Sequence, residues 1–394
     1  MSTPYWLQDA STSAPSLHGT VEVDVVVIGG GLCGTSAAYH LARAGIDVAL
    51  VEARSLSESA SGRNAGFLLQ GTAERYNRAV ELMGRERARR IHQWSIENHV
   101  RMADTIKAEG IDCAYQRRGS LQLAGSPQEE QELIESAELL VEDGFEATLL
   151  AATDLPEALQ HAGFTMGVHL PADGELHPAR FVQGVGRAAQ QQGAQLFERS
   201  RVIDLDAAST GDVRIQTDGG EVRAAMAILA TNARAGDLIP YFADKVDPVR
   251  GQMLATAPCE PMFDCPIYAN HGYDYWRQDE QNRVVLGGWR NLDPDGEVGH
   301  EETVRDDIQA KMVEFLASMG VTAPVTHRWA GIMGFSRDGL PMVGPVPGSP
   351  AALAGVGFTG HGFGFAFLAG HALAAQVMEG EHGFCTDFDP RRFA

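Results

Sequence analysis

The sequence predicts an α/β plus α+β protein with two interleaved domains, one built on a parallel sheet and one on an antiparallel sheet. Three observations lead to this fold class. The chain has 394 residues, more than one hydrophobic core usually organises. Residues 23–51 follow the strand–helix–strand pattern of a parallel βαβ unit. Residues 273–289 alternate in polarity like two antiparallel strands.

The βαβ unit opens with Val23–Ile28, a β-branched apolar run typical of a central parallel strand. A cluster of glycines follows, and the spacing of apolar residues predicts a helix over Leu32–Ala44. Gly45 ends that helix, and Asp47–Val51 supplies the second strand.

The remaining elements are predicted from the same periodicities. Helices are expected over about 84–107, 127–142, 176–192 and 302–319. Strands are expected over 119–123, 195–205, 222–230, 273–277 and 283–289, the last two joined by the polar turn 279–282. The strands at 195–205 and 222–230 would return to the first sheet. No internal repeat, low-complexity linker or long charge run separates these parts, so the domains interleave rather than follow one another.

Composition excludes several classes of function. The formal net charge is −21, which argues against nucleic acid and against an anionic membrane surface as partners. The five cysteines are scattered, without a CxxC pair or zinc spacing, so we expect no metal site and a reducing cytoplasmic location. Residues 1–20 lack the features of a secretory signal. Residues 339–378 carry no Asp, Glu, Lys or Arg, but their nine glycines and four prolines predict a buried ligand-binding segment rather than a membrane insertion.

The glycine cluster has the spacing Gly29-x-Gly31-x-x-Gly34 between the first strand and its helix. Gly29 permits the tight turn, Gly31 lets the backbone approach a pyrophosphate, and Gly34 lets the helix pack closely on the strand. Glu52 ends the second strand, where a carboxylate accepts hydrogen bonds from ribose hydroxyls. This context predicts a Rossmann-like domain that binds a dinucleotide with an unmodified ribose, either FAD or NAD.

The segments that follow share a further pattern. The small-residue loop SASGRNAG covers 59–66, and other fragments follow in order at 118–124, 175–181, 227–233, 246–254, 275–288, 329–345 and 355–364. In number and order they resemble the D-amino-acid-oxidase-like family of FAD-dependent oxidoreductases, over nearly the whole chain from Val21 to about Glu379. The resemblance implies an FAD-binding domain made of 1–85, 175–240 and 326–394, and a substrate-binding domain made of 86–174 and 241–325.

The motif and the resemblance together predict which residues contact FAD. They are Gly29, Gly31, Leu32, Cys33, Gly34, Glu52, Ala53, Arg54, Ser61, Gly62, Arg63, Asn64, Ala65, Gly66, Val202, Ala230, Thr231, Asn232, Gly331, Gly360, His361, Gly362, Phe363 and Gly364. A helix that starts in the 360–364 segment would aim its positive end at the pyrimidine edge of the flavin, where negative charge accumulates on reduction.

Three residues are the candidates for catalysis: His361, Arg290 and Trp276. His361 would offer a positive charge or a hydrogen-bond donor beside the flavin. Aromatic residues at 273, 275, 276 and 289 would wall a substrate site and receive a cationic amine on their π faces. Arg277, Arg290 and Arg337 are each able to bind a substrate carboxylate bidentately.

Two departures from the family bear on chemistry. Some members attach the flavin to a cysteine in the segment matched by Gly331–Phe335, which here contains none, so we expect non-covalent FAD. Some use a lysine over the flavin to promote oxygen reduction, and Leu286 falls near that position. The electron acceptor is therefore either dioxygen, helped by another cation such as His361, Arg290 or His271, or a different molecule.

The resemblance implies an enzyme that oxidises the C–N bond of an amine or amino acid to an imine by hydride transfer to the flavin. Two alternatives stay open. NAD(P)H would reduce the flavin if a second nucleotide site existed, and the only other candidate string, Gly184–Ala189, lies in a helical pattern. The chain would otherwise be a non-catalytic flavin-binding protein.

Overall fold

The computed structural model describes residues 4–8, 14–209 and 211–394. The predicted first domain segment (1–85) and the stretch judged not to be a signal (1–20) therefore lie partly outside the described residues. The strands are β1 (Gly19–Ile28), β2 (Val48–Val51), β3 (Phe67–Leu68), β4 (Ser120–Ala124), β5 (Thr148–Ala151), β6 (Met166–Leu170), β7 (Gly174–Glu175), β8 (Gln195–Phe197), β9 (Val202–Ser209), β10 (Asp212–Thr217), β11 (Gly220–Leu229), β12 (Val246–Pro258), β13 (Ile267–Ala269), β14 (Asp274–Gln278), β15 (Arg283–Gly288), β16 (Val325–Ser336), β17 (Met342–Val346) and β18 (Ser349–Val356). The helices are α1 (Leu32–Arg43), α2 (Tyr76–Met83), α3 (Arg85–Glu109), α4 (Pro127–Glu142), α5 (Glu157–His161), α6 (Pro178–Gln191), α7 (Ala235–Leu238), α8 (Asp306–Ser318), α9 (Gly362–Glu379) and α10 (Gly383–Asp387).

The first sheet has the order β17-β18-β11-β1-β2-β8. The pairs β18–β11, β11–β1, β1–β2 and β2–β8 are all parallel, which confirms the predicted Rossmann-like sheet. The single strand predicted over 195–205 is wrong, because the chain turns at Arg199, where φ is +50°. Residues before that turn form β8, and residues after it form β9, which pairs with β10.

The second sheet has the order β16-β12-β15-β14-β13-β4-β6-β5 and is antiparallel except for the β13–β4 pair. The predicted neighbours β14 and β15 are antiparallel, as expected. Strand β16 pairs with β12 along its whole length, so the second sheet extends to Ser336, beyond the predicted domain boundary at 326, which stays a prediction. Helix α8 begins at Asp306 rather than at 302. The other domain bounds stay predictions.

Five helices, α1, α3, α6, α9 and α10, contribute to the largest hydrophobic core of the described residues, beside the first sheet. Helices α1 and α9 approach closely at Gly370, where a Cβ atom would lie 2.4 Å from the carbonyl oxygen of Cys33. Helix α3 adds Ile91 and Met102 to this core, although the sequence assigned it to the other domain. Within the described residues, no helix is long and apolar enough to cross a membrane, and no group of three or more His, Cys, Asp or Glu side chains forms a metal site.

Candidate functional site

A cavity of about 660 Å³ lies where the carboxyl ends of β1, β2 and β11 meet β12, β15 and β16 of the second sheet. The amino-terminal ends of α1 and α9 and the loop 59–65 complete its wall. The volume is that of a site for a large organic ligand. Its position, at the carboxyl ends of parallel strands, is the one that open α/β sheets use for ligands.

The turn into α1 is shaped by its glycines. Gly29 has φ +112°, and a Cβ there would lie 2.6 Å from the carbonyl oxygen of Ala230. A Cβ on Gly34 would lie 1.9 Å from the carbonyl oxygen of Gly29, so the helix packs directly on the strand as predicted. Gly31 faces the cavity, together with Leu32 and Cys33. The first amides of a helix have no acceptor within it. The amide of Leu32 donates to the Ser61 hydroxyl oxygen at 3.0 Å, so the amides of Cys33 and Gly34 and the positive dipole of α1 are left for a bound anion.

Glu52 lies at the end of β2 and lines the cavity. Its carboxylate accepts the amide of Gly30 at 2.6 Å and the amide of Arg54 at 2.7 Å, one on each oxygen. Burial raises the pKa of Glu52, while the two amide hydrogen bonds and the Arg54 charge oppose that shift. Each oxygen keeps a lone pair for a further hydrogen bond, so Glu52 is both the brace of the turn and a free acceptor toward the cavity.

The loop 59–66 covers the cavity from the second-domain side. Arg63 is buried and donates to the carbonyl oxygen of Ala330 at 2.9 Å, and its guanidinium pairs with Glu302 at 3.1 Å. Glu302 also pairs with Arg54 at 2.8 Å. One carboxylate therefore links two arginines that line the cavity, and Arg54 also lies 4.0 Å from the carboxylate of Glu58.

The last walls come from β11 and α9. The Thr231 hydroxyl, just beyond β11, is buried and has no hydrogen-bond partner within the described residues. Helix α9 begins at Gly362, so Gly360–Gly364 bring its positive end to the cavity as predicted. An unpartnered hydroxyl and a free helix end beside an open volume are typical of a ligand site.

Most of the predicted contact residues line this cavity. They are Gly29, Gly31, Leu32, Cys33, Glu52, Ala53, Arg54, Ser61, Arg63, Asn64, Ala65, Val202, Ala230, Thr231, Asn232, Gly331, Gly360, His361, Gly362, Phe363 and Gly364. The other three predicted contact residues, all glycines, do not line the cavity. A Cβ at Gly34, Gly62 or Gly66 would meet a backbone carbonyl oxygen at 2.3 Å or less, so these residues permit the backbone packing that supports the site.

The far end of the cavity, toward the second sheet, is aromatic and carries one cation. Tyr268, Tyr273 and Tyr275 line it. The Arg290 guanidinium lies 4.3 Å from the ring centre of Tyr273 and 5.0 Å from that of Phe335. Burial raises the pKa of Tyr268 and raises that of Tyr275 to about 12, so both phenols are neutral.

His361 lies at the start of α9 with its ring edge-on to Tyr268, 6.2 Å between ring centres. Burial, helped by the Arg290 charge, lowers the pKa of His361 to about 4. The imidazole is therefore neutral at pH 7, which corrects the expectation that it contributes a positive charge. A neutral imidazole has one N–H, and Nδ1 lies 3.4 Å from the carbonyl oxygen of Thr359, an acceptor. The role of hydrogen-bond donor toward the cavity stays a prediction.

Trp276 does not reach the cavity, so its assignment as a catalytic residue is wrong. Successive residues of a strand face opposite sides, and Trp276 turns into the core against Phe315, 5.0 Å between ring centres. Trp289 and Leu286 belong to the same core. Of the three candidate arginines, Arg337 pairs with Asp244 at the surface, whereas Arg277 is buried against Glu175.

Sequence reasoning missed part of the wall. Tyr268, Met253, Met333 and Phe335 line the cavity. Met333 and Phe335 lie in the segment 329–345, which the sequence analysis matched to the family, so the resemblance could have identified them. Tyr268 stands on β13, a strand of three residues that no periodicity signals.

The family model for DAO, FAD dependent oxidoreductase, matches residues 24–376. This chain belongs to that family. It is therefore an FAD-dependent oxidoreductase with the DAO fold.

Relatives agree with the assignment. The chain is 28% identical to gamma-glutamylputrescine oxidoreductase of Escherichia coli (strain K12), over 96% of this chain and 89% of the relative. It is 27% identical to glycine oxidase of Bacillus licheniformis, over 90% and 93%. The crystal structure of glycine oxidase from Geobacillus kaustophilus superposes with a TM-score of 0.80 at 20% identity, covering 95% of this chain and 98% of that one. L-proline dehydrogenase from P. horikoshii gives 0.78 at 20% identity, covering 96% and 98%.

The residues of the cavity fit FAD. The amides at the start of α1 suit the pyrophosphate, Glu52 suits the ribose hydroxyls, and the end of α9 suits the electron-rich edge of the flavin ring. The unpartnered Thr231 hydroxyl supplies one more polar contact. When bound, FAD supplies the hydride acceptor for oxidation of the substrate.

Proposed function

We propose that this enzyme oxidises the C–N bond of an amine that also carries a carboxylate, and that Arg290 binds the carboxylate. One observation carries the proposal: no carboxylate among the described residues lies within ion-pair distance of Arg290, although the residue lines the cavity. Its guanidinium rests between two aromatic faces, which hold the side chain while leaving its donor edges free. A half-buried unpaired cation is a ready partner for an anionic group.

The surrounding side chains suit such a substrate. The neutral phenols of Tyr268 and Tyr275 offer hydrogen bonds without competing for the arginine. Met253 and Phe335 give the same region apolar surface that displaces water. The names of two relatives, glycine oxidase and gamma-glutamylputrescine oxidoreductase, also favour a C–N substrate.

The experiment compares matched substrate pairs with and without the carboxylate, such as glycine with methylamine and 4-aminobutanoate with butylamine. Each is mixed anaerobically with the yellow holoenzyme, and bleaching of the flavin is followed. Arg290→Gln should lower the apparent second-order rate constant for the best carboxylate substrate about 10- to 150-fold, since it removes a charged hydrogen-bond donor. Arg337→Gln, which removes a surface arginine paired with Asp244, is the matched control.

The proposal fails if amines without a carboxylate bleach the flavin as fast as their carboxylated partners, or if Arg290→Gln behaves like the control. Bleaching by NAD(P)H alone would support the alternative of a nicotinamide-reduced flavoprotein.

The glycines of the string 184–189, the candidate for a second nucleotide site, argue against that alternative. Gly184 and Gly186 lie inside α6, where a Cβ would press on Ile111 at 2.4 Å or Leu56 at 2.5 Å, so they serve helix packing.

Two further parts of the proposal concern the cellular compartment of the enzyme and its electron acceptor. All five cysteines are free, which favours a cytoplasmic enzyme. None of the three lysines lines the cavity, and Lys245 and Lys311 pair with neighbouring carboxylates. Mixing the reduced enzyme with air-saturated buffer tests dioxygen as acceptor, because a slow return of the yellow colour would favour a different one.

A further inference from the structure

In the loop 59–66, the four consecutive carbonyl groups of residues 63–66 each accept a hydrogen bond from outside the loop. The indole N–H of Trp329 donates to the carbonyl oxygen of Arg63 at 2.9 Å, and the indole N–H of Trp6 donates to that of Asn64 at 2.7 Å. Arg277 Nε donates to the carbonyl oxygen of Ala65 at 2.7 Å, and the amide of Leu176 donates to that of Gly66 at 2.9 Å. Side chains thus bind the first three carbonyls from three distant parts of the chain.

All three side chains are buried: Trp6 is 2% exposed, Arg277 1% and Trp329 0%. Arg277 is itself held by Glu175 at 3.3 Å and lies 5.0 Å from the centre of a Trp6 ring. The segment that carries Trp6 is docked by the Tyr5 hydroxyl, which donates to Asp279 at 2.7 Å. Each donor is therefore fixed before any ligand binds, and we call Trp6, Arg277 and Trp329 the carbonyl clamp.

The clamp determines where the loop amides point. A trans peptide is planar, so its N–H points opposite to its C=O, and the described part of the chain contains no cis peptide. The carbonyl of Arg63 and the amide of Asn64 belong to one peptide, and the carbonyl of Asn64 and the amide of Ala65 belong to the next. Because the clamp holds these two carbonyls away from the cavity, the two amides point toward it. Both residues line the cavity, and neither amide has a partner among the described residues.

We propose that the carbonyl clamp is a positioning device that presents the amides of Asn64 and Ala65 to FAD, and that Trp6 contributes to FAD affinity without touching the cofactor. The clamp explains why a tryptophan so far from the dinucleotide motif is buried and hydrogen-bonded. It also explains the buried Arg277, which the sequence analysis offered as a substrate-binding residue. Preorganised donors bind a ligand more tightly because they need no reordering.

The test uses Trp6→Phe, which keeps an aromatic ring against His177 and loses the indole donor. The matched control is Trp94→Phe, because Trp94 also donates its indole N–H, but to Asp387, at 2.8 Å, rather than to a carbonyl of the loop 59–66. FAD is removed from each protein and titrated back, with quenching of flavin fluorescence as the signal. Hydrogen exchange of peptides covering 59–66 is measured on the same apoproteins.

Trp6→Phe should raise the FAD dissociation constant about tenfold, with faster exchange at 64 and 65. Trp94→Phe should leave the FAD dissociation constant and the exchange at 64 and 65 within about twofold of the wild type, although its apoprotein should lose about as much thermal stability as that of Trp6→Phe. An unchanged dissociation constant for Trp6→Phe, or an equal rise in the control, overturns the proposal. If Trp6→Phe does not fold, Tyr5→Phe is read in the same way: a weaker FAD affinity with faster loop exchange supports the clamp, and unchanged values refute it.

Discussion

Gly34→Ala should displace the cofactor although Gly34 does not touch the cavity. The added Cβ would lie 1.9 Å from the carbonyl oxygen of Gly29. Ordinary contact begins at 3.4 Å, so α1 must retreat by about 1.5 Å, as much as the rise of one helical residue. A shift of that size would withdraw the first amides of α1 from the position expected for the phosphates of FAD.

The size of the expected loss of FAD affinity follows from the free-energy cost of overpacking, about 1–3 kcal/mol. If the helix relaxes freely in the apoprotein and must return when FAD binds, the whole cost falls on binding. The FAD dissociation constant then rises about 5- to 150-fold. Gly31→Ala should do less, because its Cβ meets only the Ser61 side-chain oxygen, at 3.0 Å.

The assay is the occupancy of FAD in the purified protein, followed by titration of the apoprotein. Gly125→Ala serves as the control, since a Cβ there meets nothing closer than 3.8 Å and the residue is exposed. Wild-type occupancy and affinity in Gly34→Ala would refute the packing argument. An effect of Gly31→Ala larger than that of Gly34→Ala would mean that the ligand, rather than the helix, limits the space.

Three other predictions concern attachment, charge and acid stability. Precipitation with trichloroacetic acid should leave the supernatant yellow and the pellet colourless, because Gly331–Phe335 contains no cysteine; a yellow pellet would reveal a covalent bond. His361→Ala should slow flavin reduction about tenfold through the lost hydrogen-bonding imidazole. The pH profile of that rate should keep any inflection that it has between pH 5 and 8, since the pKa of His361 is about 4. Loss of a wild-type inflection near pH 6.5 would show that the imidazole is charged in the holoenzyme. Thermal stability should fall as the pH drops from 6.5 toward 4, because in that range the histidines of the unfolded chain bind protons whereas the buried histidines of the folded chain stay neutral. Each fully buried histidine contributes up to about 1.4 kcal/mol per pH unit, and a partly exposed one contributes less. Burial lowers the pKa to about 3 or 4 in six of them: His40, His92, His99, His177, His361 and His371. His40→Gln should make the slope less steep, and an equal slope would contradict this account.

The sequence by itself predicted the glycine turn and the carboxylate of the expected dinucleotide site. Gly29, Gly34 and Glu52 are adjacent to strands whose patterns are unambiguous, and their roles follow from local backbone geometry. The parallel pairing of β1 and β2 was predictable for the same reason, since a βαβ unit allows few arrangements. Local chemistry of this kind needs no knowledge of what packs against it.

Only the tertiary structure decided what faces the substrate. On β14, Tyr275 and Trp276 are neighbours of similar character, and strand alternation requires that only one of them reaches the cavity. Both faces of this sheet are covered, so no polarity pattern shows which side is the core. The arginines differ for the same reason: Arg277 and Arg290 are told apart only by whether a distant carboxylate, Glu175, lies beside them. The role of Trp6 depends on a contact 58 residues away in the chain, and contacts of that kind exist only once the fold has formed.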